Sequence, residues 1–422
     1  YLKKYFLLAN FRIDQSSVFG TDNNTSYNGG LGASWVISKE KFLAQAKWID
    51  FLRLRLSYGT SGNSRIGSYR ALGLYYFDDI GGSGYNRGNY AYPSSAPNPH
   101  LGWEKNYKFN LGFDFNTGWL NTSVELFHDD IRDMIVSRDV IPETGYSNVQ
   151  INGANMYNQG IEVSLRAHVI SSSKMKWTSN FNFSKIKNKV THLLGLGSEF
   201  SAATKARAQR VGYPTTLIWG YDFIGIDPAT GRELYNVNGN TVDGIYLKDH
   251  YNEEIYWEPI GNSQPDLYGG WNNRFKVGRN FDVAVLLTYS FGADIKIQKD
   301  FLDNYRGIDF KNMTINTYYG SWKHPGDIAV YPAITDSNPI ISNSSKYVFS
   351  NSHIKLKSVN FSYKVPINNT TLPFDVLRFY TNASNLFYWF MEKTPEGQNG
   401  VAELRKRYPE MRTFSVGINA NF

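Results

Sequence analysis

Residues 412–422 constrain the fold more than any other stretch. Phe414, Val416, Ile418, Ala420 and Phe422 share one face of an extended chain there, and Thr413, Ser415, Gly417, Asn419 and Asn421 share the other. Successive side chains of a strand point to opposite faces, so period-two alternation marks a strand between two unlike environments. One face is wholly apolar and the other wholly small or polar. A strand of a soluble sandwich shows this pattern over about five residues. The longer stretch suits a strand with lipid on one side and water on the other, since about 9–11 residues cross a membrane as a tilted strand.

The template recurs along the chain. Tyr5, Leu7, Ala9, Phe11 and Ile13 alternate with Phe6, Leu8, Asn10, Arg12 and Asp14, and Tyr107, Phe109, Leu111, Phe113 and Phe115 with Lys108, Asn110, Gly112 and Asp114. Similar patterns surround Tyr27 to Ile37, Leu52 to Tyr58, Leu120 to Leu126, Ile161 to Ala167 and Trp177 to Phe183. Further strands are predicted from Trp271 to Val277, Phe281 to Phe291, Ile354 to Tyr363 and Leu377 to Phe387. Ile354 and Leu356 share a face, but the pattern then resumes at Val359, Phe361 and Tyr363. One extra residue near Lys357 restores the register, which predicts a β-bulge there. With the final strand the total is about twelve.

The connections alternate in length. Short ones fall at Asn116–Trp119, Ile170–Met175, Gly278–Phe281 and Val365–Val376, and long ones near 60–102, 129–155, 187–265, 293–351 and 389–411. Short turns on one side and long loops on the other is the pattern of an outer-membrane barrel. If the final strand ends on the periplasmic side, the long connections are all extracellular. Ser38–Asp50 is a medium-length inner connection with room for a helical turn. The strand-like segments Gly67–Phe77 and Leu217–Ile226 break this parity as crossings and are assigned to outer loops.

Composition fits. The chain has 422 residues and 16% aromatics, with a mean hydropathy of −0.42. No apolar run approaches the roughly 20 residues of a membrane helix, and low hydropathy is normal for a barrel whose strands half face a polar lumen. Cysteine is absent, which removes disulfides and thiolate metal sites. The net charge of +7 is thinly spread, without the basic runs of a nucleic-acid-binding arm. The opening Tyr-Leu-Lys-Lys-Tyr-Phe-Leu-Leu already reads as strand, and an exported protein needs an address, so the expectation is either a processed fragment or a true N-terminus further upstream.

Several segments together resemble one family. Leu52-Arg53-Leu54-Arg55-Leu56-Ser57-Tyr58-Gly59-Thr60-Ser61-Gly62-Asn63 is similar to L-K-x-R-x-S-Y-G-x-x-G-N, and Asn98-Pro99-His100-Leu101-Gly102-Trp103-Glu104 to N-P-x-L-x-W-E. Asn158-Gln159-Gly160-Ile161-Glu162, Gly212-Tyr213-Pro214 with Trp219-Gly220-Tyr221 and Gly225-Ile226, Leu356-Lys357-Ser358-Val359, Asn382-Ala383-Ser384-Asn385-Leu386-Phe387 and the Phe422 end follow in the same order. The chain resembles the C-terminal barrel half of SusC/RagA-type TonB-dependent outer-membrane transporters. One departure is the stretch Leu247–Glu254, which lacks the acidic, Gly-rich turn usual there and puts any ion at that turn in doubt.

The resemblance implies an all-β fold: a transmembrane antiparallel β-barrel contributing about the last twelve of roughly 22 strands, with the plug domain and TonB box not in this chain. It implies import of a large nutrient, an oligosaccharide or oligopeptide, through the outer membrane of a Bacteroidetes-like bacterium. The implied partners are a SusD-like lipoprotein lid, TonB and outer-membrane lipid, with no cofactor and no nucleic acid. The alternative is a structural or interaction barrel in a surface or secretion assembly. In either case the first strand, near Tyr5, and the last, near Ile418, need partners from elsewhere in the polypeptide, so this segment alone is not expected to form a stable barrel.

No enzyme is expected, because no nucleophile–base motif occurs. Asp129, Asp130 and Asp133 beside His128 read as solvated loop carboxylates rather than a metal site. Lumen charges such as Arg53, Arg55, Lys108 and Arg274 against Asp114, Glu125, Glu162 and Asp282 read as cross-strand and plug-facing ion pairs rather than as a basic lining for anionic or polar cargo. Trp219, Tyr221, Trp257 and Trp322 are the candidate substrate-binding residues, because amphipathic rings suit a half-wet binding surface. Tyr85, Tyr90, Tyr92 and Tyr256 are further loop rings of this kind, and Tyr305, Tyr318 and Tyr319 supply apolar material for ordering the loops.

Overall fold

A computed structural model describes residues 1–78, 90–146, 148–194, 210–251, 256–297, 315–334, 341–367, 375–392 and 410–421. Twelve long strands form one antiparallel sheet: β1 (Tyr5–Gln15), β2 (Thr25–Val36), β3 (Phe51–Asn63), β4 (Glu104–Asn116), β5 (Leu120–Asp139), β6 (Asn148–Ser171), β7 (Met175–Leu193), β8 (Leu267–Val277), β9 (Phe281–Phe291), β10 (His353–Lys364), β11 (Val376–Phe390) and β12 (Thr413–Asn421). They are hydrogen-bonded in chain order, as an up-and-down barrel wall requires. No helix among the described residues is long and apolar enough to cross a membrane, which says nothing of strands.

The strands fall in two compact units. The first holds 1–118, 122–162 and 186–215, and the second 119–121, 163–185 and 216–422. In the first, β1–β4 alternate as the sequence predicts. Leu7, Phe11 and Leu31 are exposed on the apolar face at 82%, 71% and 62%, as lipid-facing residues are when the lipid is removed. Ser38–Asp50 carries two short 3-10 turns, Ile37–Lys39 and Lys41–Leu43. The segment expected at Gly67–Phe77 contributes a separate hairpin, Leu74–Asp78 on Tyr90–Ser95, outside the large sheet.

The N-P-x-L-x-W-E segment has a packing explanation. Leu101 is fully buried and Trp103 nearly so, in a cluster with Phe19 and Ala71. The Trp103 indole donates to the Asn24 carbonyl at 2.9 Å, and Glu104 accepts the Ile135 N–H at 2.9 Å. Asn152 clamps the same place. Its amide accepts from Gly102 N–H at 2.7 Å and donates to the Gly102 and Asp133 carbonyls at 2.9 and 2.7 Å.

Strands β5, β6 and β7 exceed the lengths read from alternation, running 20, 24 and 19 residues. Most of the 129–155 stretch, read as loop, is therefore a tall hairpin. Beyond Leu126 polar and apolar residues mix on both faces, as with Met134, Ile135 and Val136 in a row, which erases the period-two signal while leaving the backbone ladder intact.

In the second unit, β8 pairs with β7 on one side and β9 on the other. Trp177 stacks on Phe275 across the apolar face at 5.5 Å. The bulge falls at Lys357: β9 pairs Leu286 with Ser358 and Leu287 with Leu356, leaving Lys357 over. Opposite it, Asn385 adopts a left-handed conformation (φ +56°), which Asn tolerates better than most residues, and accepts the Lys357 ammonium at 3.1 Å. This accounts for the second Asn of the N-x-x-N-L-F segment. Phe422 lies outside the described residues, so the terminal alternation is seen to Asn421.

Candidate functional site

Two regions are built for more than closing the sheet: the polar wall of the first unit and a folded loop module in the second.

The polar wall has neighbouring cations sharing carboxylates. Asp114 accepts from Arg53 at 2.7 Å, from Arg55 at 2.9 Å and from the Ser123 hydroxyl at 2.9 Å. Arg55 also reaches Glu125 at 2.7 Å. Gly112 makes room for it, because a Cβ there would stand 2.7 Å from the Arg55 guanidinium carbon. In the second unit Arg274 pairs with Asp282 on the same face. These are the cross-strand ion pairs read from the sequence. In the tall hairpin, Asp130 pairs with Arg132 at 2.7 Å and Asp133 with Lys105 at 3.2 Å, so these carboxylates face cations rather than converging. His128 stacks on Tyr157.

The loop module is assembled from chain segments more than a hundred residues apart. Leu217–Gly220 pairs with Glu258–Asn262, and Asp222–Ile226 leads a three-stranded meander with Glu233–Val237 and Asn240–Asp243. Neither sheet joins the large one, as parity required of Leu217–Ile226. A short helix, α1 (Gly244–His250), follows, with Asp243 accepting the Tyr246 N–H at its start. Tyr221, Tyr235, Val237, Val242 and Leu247 form the core.

The segment 341–350 completes the module. Tyr221 N–H donates to the Asn343 carbonyl at 2.8 Å, Ser345 N–H to the Tyr221 carbonyl at 2.9 Å and Phe223 N–H to the Ser345 hydroxyl at 2.8 Å. Gly220 permits this approach, because a Cβ there would meet the Asn343 carbonyl at 2.5 Å. Lys346 reaches Glu233 at 2.6 Å, with its ammonium also over the rings of Phe223, Tyr331 and Tyr347. Lys296 donates to the Asn343 side-chain carbonyl, and burial pushes its pKa down.

Three of the four candidate rings lie in this module, and the fourth, Trp322, packs against its Asp227–Gly231 turn. Trp219 and Tyr221 are buried, with exposures of 6% and 5%. Trp257 meets Tyr221 edge-on at 6.4 Å and is half-buried. Trp322 stands apart from that cluster, seated over Gly231, and its indole donates to the Pro228 carbonyl at 2.8 Å. The Asp227–Gly231 turn beneath it is an Asx turn, in which Asp227 accepts from the Thr230 hydroxyl and the Ala229 N–H. Those bonds hold the Asp227 carboxyl below its ordinary pKa. Tyr256 packs against the core, and Tyr318 and Tyr319 are exposed. Tyr85, Tyr305 and the Asn252–Glu254 part of the departing turn lie outside the described residues, as does the Tyr90 side chain. Lys346, Glu233 and Ser345 were missed by the sequence reading. Their partners are over a hundred residues away, and nothing local marks them.

Comparison with known proteins places this architecture. Residues 1–282 match the family model "TonB dependent receptor-like, beta-barrel". The chain belongs to that family, which is one of outer-membrane receptors and transporters rather than of enzymes. A TonB-dependent receptor of Formosa agariphila, P39, is 29% identical over 483 residues, covering 100% of this chain and 45% of that protein. The TonB-dependent receptor SusC of Bacteroides thetaiotaomicron is 24% identical, covering 100% of this chain and 42% of SusC. A solved structure of the RagAB peptide transporter superposes with a TM-score of 0.83 at 23% identity, covering 100% of this chain and 46% of that one. The chain spans a little under half the length of the relatives it matches.

Proposed function

We propose that this chain is the C-terminal barrel portion of an active transporter, which imports an oligosaccharide or oligopeptide across the outer membrane of a Bacteroidetes-like bacterium. In this reading the 60–102, 129–155, 187–265, 293–351 and 389–411 connections face outward. A SusD-like lipoprotein lid rests on them, and TonB supplies the energy through the rest of the polypeptide. The observation that carries the reading is the match to SusC along the whole of this chain, on a wall whose polar face is lined with charge. Buried Trp219 and Tyr221 support the loop module from within, while Trp257 and Trp322, half-buried at its surface, are the rings offered to cargo or lid.

The module also bears on docking. Because 341–350 is hydrogen-bonded into the 217–262 sheets, these parts of the two excursions form one packed platform for the lid. The exposed Tyr319, Ile328 and Val330 belong to the chain next to it. The test is to shorten 315–331 in the full-length protein. Purification from membranes then shows whether a lipoprotein still copurifies, and growth assays show whether uptake still depends on TonB. Loss of both supports import with a lid. Retention of both overturns the docking role, and a protein whose absence changes surface assembly but no uptake is the structural barrel of the alternative reading.

A further inference from the structure

The connection 37–50, between β2 and β3, is held against the lipid-facing side of the first unit. Tyr5, Trp35, Leu54 and Phe113 lie opposite one another across β1–β4, so they share the apolar face, and Phe115, two residues on, shares it too. Tyr5 and Trp35 stack there at 6.4 Å. Glu40 accepts from both, at 2.6 Å from the Tyr5 hydroxyl and 3.1 Å from the Trp35 indole. Towards the other end of the connection, Trp48 meets Phe115 edge-on at 5.9 Å. Two independent contacts thus tie the connection to the apolar face rather than to the polar one.

Its other side chains suit a layer of lipid headgroups. Phe42 and Trp48 are 69% and 66% exposed, so each ring has most of its surface free. The surroundings are basic: Lys3, Lys4, Lys39, Lys41 and Lys47 stand against Glu40 and Asp50 within residues 3–4 and 37–50. Lys4 takes Glu40 at 3.0 Å. Lys39 donates to the Lys3 carbonyl at 3.0 Å, a bond that leaves its charge unmatched. Among the described residues no carboxylate pairs with Lys39, Lys41 or Lys47.

An indole at the edge of the hydrocarbon keeps its apolar body in lipid and its N–H among the headgroups. An ammonium at the same depth meets the phosphates. A zwitterionic headgroup returns no net charge to it, whereas an anionic headgroup does, and lysines close to an anionic surface each add to the attraction.

We propose that the 37–50 connection is a docking surface for anionic glycerophospholipid. Phe42 and Trp48 enter the margin of the acyl region, and Lys39, Lys41 and Lys47 hold the headgroup phosphate. The occupant is lipid because the connection continues the apolar face that lipid already covers, and because its unmatched charge is of the opposite sign to the headgroup. The inference is independent of what the barrel carries.

The experiment places the full-length protein, with Phe42→p-benzoylphenylalanine, in nanodiscs of phosphatidylglycerol and phosphatidylcholine in equal parts. After irradiation the adducts at position 42 are counted by mass spectrometry. Phosphatidylglycerol adducts exceed phosphatidylcholine adducts at least about fivefold, which is about 1 kcal/mol. The excess falls toward parity as salt rises from about 0.05 M to about 0.5 M, because the Debye length shortens. Adding Lys39→Gln, Lys41→Gln and Lys47→Gln removes the excess while lipid adducts still form, which shows that the ring keeps its place without the charges. Parity between the two lipids with the lysines intact, an excess that ignores salt, an excess that survives the three lysine changes, or an absence of lipid adducts would each overturn the proposal. Adducts to another stretch of polypeptide in place of lipid would overturn it too, and would make the connection a protein contact.

Discussion

Glu233 and Lys346 meet at 2.6 Å with side-chain exposures of 2% and 9%, although 113 residues separate them. The Tyr235 hydroxyl donates to the other Glu233 oxygen at 2.5 Å. The pair therefore bolts the 341–350 segment to the meander that follows Tyr221. Removing one member strands the other's charge in the interior, at a cost of about 3–5 kcal/mol. Lys346→Met is thus expected to release the segment, read as new protease cleavage within 341–350 of the full-length protein in membranes. The strands of the large sheet should stay protected. An unchanged cleavage pattern would show that the backbone bonds suffice without the ion pair.

Facing is tested on the last strand. Val416 is 80% exposed on the apolar face, and Ser415 points the other way. Near the bilayer midplane Val416→Arg is expected to cost about 2–4 kcal/mol, and Ser415→Arg much less. Equal tolerance in a refolding titration would contradict the assignment of faces.

The connection after β2 is expected to loosen in acid. Glu40 lies between its two 3-10 turns and accepts from the Tyr5 hydroxyl at 2.6 Å, the Lys4 ammonium at 3.0 Å and the Trp35 indole at 3.1 Å. These bonds, Tyr5's first, lower its pKa from the ordinary 4.5 to about 2. A depressed carboxylate pKa stabilises the fold above the unfolded value, and that contribution is lost as pH falls through the folded one. Once divided by the intrinsic exchange rate at each pH, hydrogen exchange over residues 37–50 should show constant protection above pH 4.5 and falling protection between 4.5 and about 2. Glu40→Gln should remove the transition.

Gly231→Ala tests the seat of Trp322. Gly231 has φ +69°, and a Cβ would meet the indole at 2.5 Å. The substitution combines left-handed strain of about 1 kcal/mol with displacement of the ring. A red shift in the Trp322 emission, isolated in a background lacking other loop tryptophans, is the expected sign. An unshifted spectrum would mean that the turn yields instead of the ring.

The barrel was legible because lipid and water write different residues at alternate positions, and a one-residue slip at Lys357 is visible as a phase change. The reading weakened where polar and apolar residues mix on both faces, as in Asp129–Asp133 on β5 and Asn148–Asn158 on β6, because a ladder of backbone hydrogen bonds needs no side-chain pattern. It weakened further in the loop module. Trp219 and Tyr221 look like rings offered to a ligand when only neighbouring residues are known. The backbone at Tyr221 is held by Asn343 and Ser345, and no local rule connects chain segments so far apart. The wall charges were placed on the right face, but which of them lack partners depends on register and reach.

The height of the central strands carries a last consequence. At roughly 3.3 Å per residue, the 24 residues of β6 extend about 80 Å along the strand, or about 55 Å upright at a tilt near 45°, against roughly 30 Å of hydrocarbon. About 25 Å of the strand's height is thus more than the lipid tails cover. That surplus is held by hydrogen bonds from strand to strand, so β5, β6 and β7 keep their backbone ladder beyond the length that a membrane crossing alone requires.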